Sequence, residues 1–419
     1  MTAILLHGAG REARAAAVHF LNRGSDDLRV FDDGGGAIDG VRPVGLEAAM
    51  QAVRGAVYLR SPGVPPGHPL AREAATHASL ATTPTGYWLA KLSPAETVTI
   101  TGTKGKSTAT ALTAGLLRAA GLSSAPYGNI GAPPLNGSLP GERIPVVEMS
   151  SFMLHDVPAA EHFHAVTNLL RDHLDWHGTL DAYHEAKLRP FRLNPRLKGL
   201  APRDVIARAG LAPSVGAIEE RVSDDGSVLR AGDHRLCPQA QDPRFAGGPL
   251  RHALAVALAV GLQFVEAPLA AAAATEAIAS FGGLPSRQEI IPSADGRTWI
   301  NDALATIPEA AIAAAEAFRT RTIVMLLGGA DRGQDFSALQ AFIGAHPEIS
   351  AVRFGPAGWR LDIPNTPHTD DFADAITLAS QRCPRGGVIL FSPAAPSSPP
   401  YRSYEERAAL FRRLAGEVR

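Results

Sequence analysis

Short apolar runs ending in glycine or a charged residue recur along this chain, with helical periodicity between them. Residues 3–6, Ala-Ile-Leu-Leu, read as a buried strand. Gly8-Ala-Gly10-Arg11-Glu12-Ala13 then turns into a helix over about 11–23. A strand at 28–31 closes on Asp32 and Asp33, and one at 57–60 runs into Ser61-Pro62-Gly63. Residues 97–100 alternate and are β-branched, which suits a further strand. A helix follows from Lys106, and Gly121 suits its C-terminal cap. Strands are also predicted at 144–148, 164–168, 298–301, 322–327 and 387–391, each ending in polar residues. Helices are predicted at 181–189, 251–262 and 267–280. Residues 199–249, rich in Gly, Pro and Asp, are expected to form loops and short strands. The alternation predicts an α/β fold with parallel sheets, whose strand ends share one edge where ligands bind.

Pattern breaks near residue 90 and at Phe281–Arg287 divide the chain into expected domains 1–90, 91–283 and 284–419. A length of 419 residues supports two or three such cores. The net charge of −1 implies no polyanion, so no nucleic-acid partner is expected. Two cysteines make neither a disulfide framework nor a zinc site and fit a reducing cytosol. No apolar run of about 18 residues suggests a membrane span, and the first residues lack a basic signal-peptide region. A cytoplasmic location is therefore expected.

Chemistry concentrates first in Gly102-Thr103-Lys104-Gly105-Lys106-Ser107-Thr108. Two glycines between strand and helix let backbone amides approach a phosphate at the helix N-terminus. Lys106 adds a full charge, and the hydroxyl of Ser107 or Thr108 suits Mg²⁺. The turn is a shortened phosphate loop, since Ile100 stands where the longer pattern has glycine. Of 40 basic residues only Lys91, Lys104, Lys106, Lys187 and Lys198 are lysine. A chain that prefers arginine thus puts two compact ammonium groups in one turn.

Glu148 and His173 follow neighbouring strands, where either would suit a phosphate-bound cation. Alone, each would more simply be a surface or capping residue. Lys187 lies on a predicted helix, where a lysine is ordinarily a solvated charge. At the first turn, Gly8-x-Gly10-x-x-Ala13 with Asp32 about 20 residues on suits a nucleotide and its ribose; the plainer alternative is a packing turn.

These motifs, in this order, resemble the Mur ligase family over essentially the whole chain, and its glutamate-adding branch above all. The resemblance rests on Ser61-Pro-Gly-Val-Pro, the 102–108 turn, Gly128-Asn129-Ile-Gly131 and Glu148-Met-Ser-Ser-Phe. It continues through Asp172-His173-Leu-Asp, Tyr183-x-x-Ala-Lys187, Gly283-Leu-Pro-Ser-Arg287, Asn301-Asp302, Gly328-Gly-Ala-Asp-Arg332-Gly and Ser392-Pro-Ala-Ala-Pro-Ser397. It implies a Rossmann-like N-terminal domain for a UDP substrate, a central P-loop ATPase-like domain and a Rossmann-like C-terminal domain for the amino acid. The implied reaction is ATP-dependent joining of glutamate to UDP-N-acetylmuramoyl-L-alanine (UDP-MurNAc-L-Ala) through an acyl phosphate, in peptidoglycan precursor synthesis.

By the same resemblance, residues 102–108 bind ATP and Ser107, Glu148 and His173 hold two Mg²⁺ ions. Lys187 is implied to be carbamylated by CO₂ and to support the second ion. Arg287 and Asp302 match contacts to ATP. Gly10, Asp32, Ser61 and Asn129 match the UDP-substrate side, and Arg332, Ser397 and Tyr404 the glutamate side. A monomer is expected. The family's Asn-Asp-Ser-Lys stretch reads Asn301-Asp302-Ala303-Leu304, its Asn-rich adenine helix begins Leu250-Arg251-His252, and its glutamate-side lysine is Arg332. D-glutamate is favoured as the commoner substrate, with L-glutamate the alternative. An oxidoreductase suggested by the Gly8 turn would leave Lys106, Glu148 and His173 without a role. A folate-type polyglutamate ligase would lack the N-terminal domain.

Overall fold

The computed structural model describes residues 3–136, 144–158 and 162–417. They form two compact units, one of residues 1–237 with 252–278, the other of 238–251 with 279–419.

The first unit carries two parallel sheets. In the N-terminal sheet, Ile4–His7 lies centrally between Leu28–Phe31 and Val57–Arg60, with Arg42–Pro43 and Leu80–Thr82 outside. All four residues of the central strand are buried, as expected for a strand covered on both faces. The second sheet is centred on Val98–Thr101, flanked by Phe163–Val166 and Ile144–Glu148. Ser124–Gly128 forms one edge, and Gly199–Ala201 with Val215–Ala217 the other.

That second edge lies within residues 199–249, where loops and short strands were expected, and shows which residues form the strands. Two three-residue strands there extend the sheet in parallel, around the helix Arg203–Ala209. Three residues are too few to show alternation, so neighbours across the sheet decide their state. A small antiparallel sheet follows, Ser223–Asp224, Leu229–Ala231 and His234–Leu236. Ile4, Leu6 and Ala16 share one apolar cluster with Tyr127, Val147 and Met153, so residues either side of position 90 bury a common core.

The second unit holds one six-stranded sheet. Its order is Glu289–Ile291, Thr298–Asn301, Val388–Phe391, Ile323–Gly328, Ile349–Phe354 and His368–Thr369. Only the Glu289–Ile291 pairing is antiparallel. The strand Ile349–Phe354 was not anticipated. It reads Ile-Ser-Ala-Val-Arg-Phe, too mixed to separate from the helix before it.

Candidate active site

The strand Val98–Thr101 delivers the chain into the 102–108 turn, and the helix Lys106–Ala119 leaves it. Gly102 and Gly105 have φ of 147° and 80°, the region glycine favours. A Cβ at Gly102 would lie 1.9 Å from Thr167 Oγ1, so no other residue fits without displacing the next strand end. That strand end grips the turn. The Thr103 amide donates to the Asn168 carbonyl and the Lys104 amide to Asn168 Oδ1, at 3.0 and 2.9 Å. Thr167 Oγ1 donates to the Lys104 carbonyl at 2.7 Å. Tyr183, from the helix Leu180–Leu193, donates its hydroxyl to Thr103 Oγ1 at 3.2 Å. Lys106 Nζ donates to the Thr103 carbonyl at 3.0 Å, and Lys104 pairs with Asp172 at 3.2 Å. Ser107 and Thr108 are buried in the first helical turn.

Glu148 ends the adjacent strand and is 1% exposed. Its Oε1 accepts from Asn129 Nδ2 at 3.1 Å, while Oε2 is buried without a hydrogen-bond partner. A buried anionic oxygen is costly unless something satisfies it, and a cation would. Lys187 is also 1% exposed, its ammonium 4.7 Å from the Tyr183 ring centroid. Burial pulls its pKa well below the usual lysine value, and nearby Lys106 pulls the same way against Asp172 and Glu148. His173 takes the left-handed conformation, φ 49°, at the start of a short turn. It is half exposed, with Nε2 4.0 Å from Asp172.

Gly10 and Ser61 meet at the N-terminal sheet's edge. A Cβ on Gly8 would strike Ser61 Oγ at 2.5 Å, and one on Gly10 would lie 3.8 Å from it. Ser61 Oγ is buried and unpartnered. Asp32 holds this turn: it accepts from the amides of Ala9, Gly34 and Gly36 at 2.9, 3.1 and 2.8 Å.

Beside it is a cluster that the sequence did not reveal. Asp33 accepts from His7 Nε2 at 3.3 Å and His68 Nε2 at 3.1 Å. Among the described residues this is the one group of three His, Cys, Asp or Glu whose ligand atoms lie within 4.8 Å of one another. His68 Nδ1 accepts from the Leu70 amide, so its proton sits on Nε2 and points at Asp33. That proton makes the group a hydrogen-bonded ladder rather than a metal site. Residues 7, 33 and 68 are too far apart in the chain for spacing to link them.

In the second unit, Asp302 is buried and accepts from Ser392 Oγ at 2.9 Å and the Gln288 amide at 3.1 Å. Burial pushes its carboxyl up to about 7, while Arg287 opposes. Ser397 Oγ is buried and unpartnered. Tyr404 begins the helix Tyr404–Glu417, and burial raises its phenol. Arg332 is exposed after the Gly328-Gly329 turn. The missed residue here is Arg407, fully buried, which donates to the Gly328 and Ala395 carbonyls at 3.3 Å each.

The Mur ligase middle domain matches residues 100–198. A protein of Salinispora tropica named UDP-N-acetylmuramoyl-L-alanine--L-glutamate ligase is 35% identical, covering 97% of this chain and 96% of its own. One of the same name from Xanthomonas axonopodis pv. citri is 34% identical, covering 99% and 95%. The fold resembles the MurF ligase of Thermotoga maritima in complex with ADP, with TM-score 0.58 at 15% identity over 99% of this chain and 95% of that one. It also resembles a folylpolyglutamate synthase/dihydrofolate synthase of Yersinia pestis, with TM-score 0.53 at 18% identity over 79% and 92%. The chain belongs to the Mur ligase family. It is an ATP-dependent, amide-bond-forming ligase of peptidoglycan precursor synthesis.

Proposed function

We propose that the protein joins L-glutamate to the L-alanine carboxylate of UDP-MurNAc-L-Ala. The relatives' names supply the substrates, and they favour the enantiomer that the sequence kept as its alternative to D-glutamate. The structural observation that carries the chemistry is Glu148, a buried carboxylate with one oxygen unsatisfied beside a built phosphate turn.

The oxygen donors of Ser107, Glu148 and a carbamate on Lys187 suit Mg²⁺, a hard cation that prefers oxygen ligands. Ser107 and Glu148 would hold one ion, and His173 with a carbamylated Lys187 a second. Bound there, Mg²⁺ offsets the negative charge of phosphate and carboxylate. Burial disfavours the charged form of Lys187, which favours the neutral amine that can attack CO₂ and lose a proton to form the carbamate.

The backbone amides of Gly105 and Lys106 and the Lys106 ammonium would hold the ATP phosphates. The alanyl carboxylate attacks the γ-phosphorus, the bond to ADP breaks, and an acyl phosphate forms. The glutamate amine then attacks the acyl carbon, loses a proton, and phosphate leaves with its bonding electron pair. Gly10, Asp32 and Ser61 would border the UDP moiety and Asn129 the muramoyl end. Arg287 and Asp302 would contact ATP, and Arg332, Ser397 and Tyr404 the amino acid. The domains would be 1–90, 91–283 and 284–419, in a monomer working in the cytoplasm. No helix among the described residues is long and apolar enough to cross a membrane.

Phosphate release from ATP, measured with UDP-MurNAc-L-Ala and each glutamate enantiomer, tests this. Release with L-glutamate at least about tenfold above D-glutamate is expected, a difference of one 1.4 kcal/mol step. Preference for D-glutamate would refute the enantiomer, and no release with either would refute the substrate pair.

A further inference from the structure

Arg11, the first residue of the helix Arg11–Leu21, reaches from the glycine turn of the N-terminal sheet to a loop more than a hundred residues away. Its guanidinium donates to three backbone carbonyls of that loop. Nη2 meets Gly128 at 2.9 Å and Asn129 at 3.0 Å, and Nη1 meets Gly131 at 3.1 Å. Three convergent carbonyls matched by a planar fork make a geometric fit that a lysine point charge would not reproduce.

The loop is built to present those carbonyls. Gly128 and Gly131 have φ of 93° and 64°. A Cβ on Gly128 would lie 2.4 Å from the Glu148 carbonyl, and one on Gly131 2.4 Å from that of Pro126. Neighbouring backbone therefore dictates the loop's shape. On its other side the loop holds Glu148 twice: the Asn129 amide donates to the Glu148 carbonyl, and Asn129 Nδ2 to Oε1, each at 3.1 Å. The side-chain bond occupies Oε1 and leaves Oε2 without a partner. One continuous hydrogen-bonded path thus runs from Arg11 through the loop to the buried carboxylate.

We propose that Arg11 is a positioning residue. It fixes the 128–131 loop so that Asn129 orients Glu148, and it ties that orientation to the glycine turn at residues 8–10. This rests on the reading that Asn129 and Glu148 serve the ligase reaction. Arg11 itself touches only backbone carbonyls of the loop and acts through Asn129.

The test is a double-mutant cycle of Arg11→Ala and Asn129→Ala, read as kcat and as calorimetric affinity for UDP-MurNAc-L-Ala without ATP or Mg²⁺. Arg11→Ala alone should lower kcat by about tenfold or more, a loss of one 1.4 kcal/mol step. The KM for glutamate should stay within about twofold. In the Asn129→Ala background the same change should cost at most about twofold in kcat and in affinity, because the path is already cut. Arg11→Lys should recover part of the loss. Equal losses in both backgrounds would show a general structural role and overturn the proposal, as would an unchanged kcat in Arg11→Ala. If Arg11→Ala fails to fold, the cycle is run with Arg11→Gln, which keeps a neutral donor, and the same criteria decide. Failure of the reading beneath it is separable, since Asn129→Ala alone would then leave kcat unchanged.

Discussion

Lys187 was legible as unusual only against the lysine count of the whole chain, because nothing in its own helix marks it. The structure supplies what spacing could not: full burial, an aromatic ring beneath the ammonium, and Lys106 near enough to disfavour a second charge. An amine so placed is poorly used as a cation and well used as a nucleophile. Lys187→Ala should therefore lose about a hundredfold or more in turnover, the scale of a lost charge-stabilising group. Short carboxylic acids added to that variant should restore part of the rate by standing where the carbamate stands. Lys187→Arg should stay inactive, since guanidinium forms no carbamate. Steady-state phosphate release decides it, and full activity in the arginine variant would end the carbamate reading. Arg11 lies at the opposite limit of legibility. Its partners are backbone carbonyls distant in the chain, and no side-chain pattern encodes them.

At the scale of elements, the strand, glycine turn and helix around residues 98–119 were readable because each local preference agrees with its neighbours. The edge strands at 199–201 and 215–217 were not, because their state is set by pairing across the sheet. The turn also explains why its two glycines are unequal. Gly105 has open space where a Cβ would sit, so Gly105→Ala should cost only backbone strain, about 1–2 kcal/mol. Gly102→Ala carries similar strain and adds a collision with Thr167, whose hydroxyl holds the Lys104 carbonyl. Overpacking of that kind adds roughly 1–3 kcal/mol. Chemical denaturation should rank Gly102→Ala as the less stable variant, and it alone should also lose most ATP affinity. Equal costs at the two positions would mean that the strand end gives way and does not grip the turn.

Across the whole molecule, buried titratable groups set opposite limits on stability against pH. Burial lowers His7 and His164 from 6.5 to about 4. Their folded forms bind fewer protons than the unfolded chain, so stability falls as pH drops from 6.5 toward 4. Each shift amounts to something on the order of 3 kcal/mol. Glu12 in the first unit and Asp302 in the second run the other way, raised by burial to about 7 from 4.5 and 3.8. Their folded forms stay protonated where the unfolded chain ionises, so their contribution is complete at low pH and is lost as pH rises toward 7. Between 4.5 and 6.5 the groups oppose one another within the first unit, where two histidines outweigh one carboxyl. Stability of the first unit should therefore peak near pH 6.5 and decline on both sides. Glu12 accepts only a long bond from the Thr85 amide, 3.4 Å, and its Oε1 is buried and unpartnered. Glu12→Gln removes the ionisation while keeping the shape, so it should stabilise the protein more at pH 8 than at pH 5. Thermal melts at pH 5, 6.5 and 8 measure this. An equal shift for Glu12→Gln at all three values would show that Glu12 is ionised in the fold, and the first unit would then have no basic-side decline from this group.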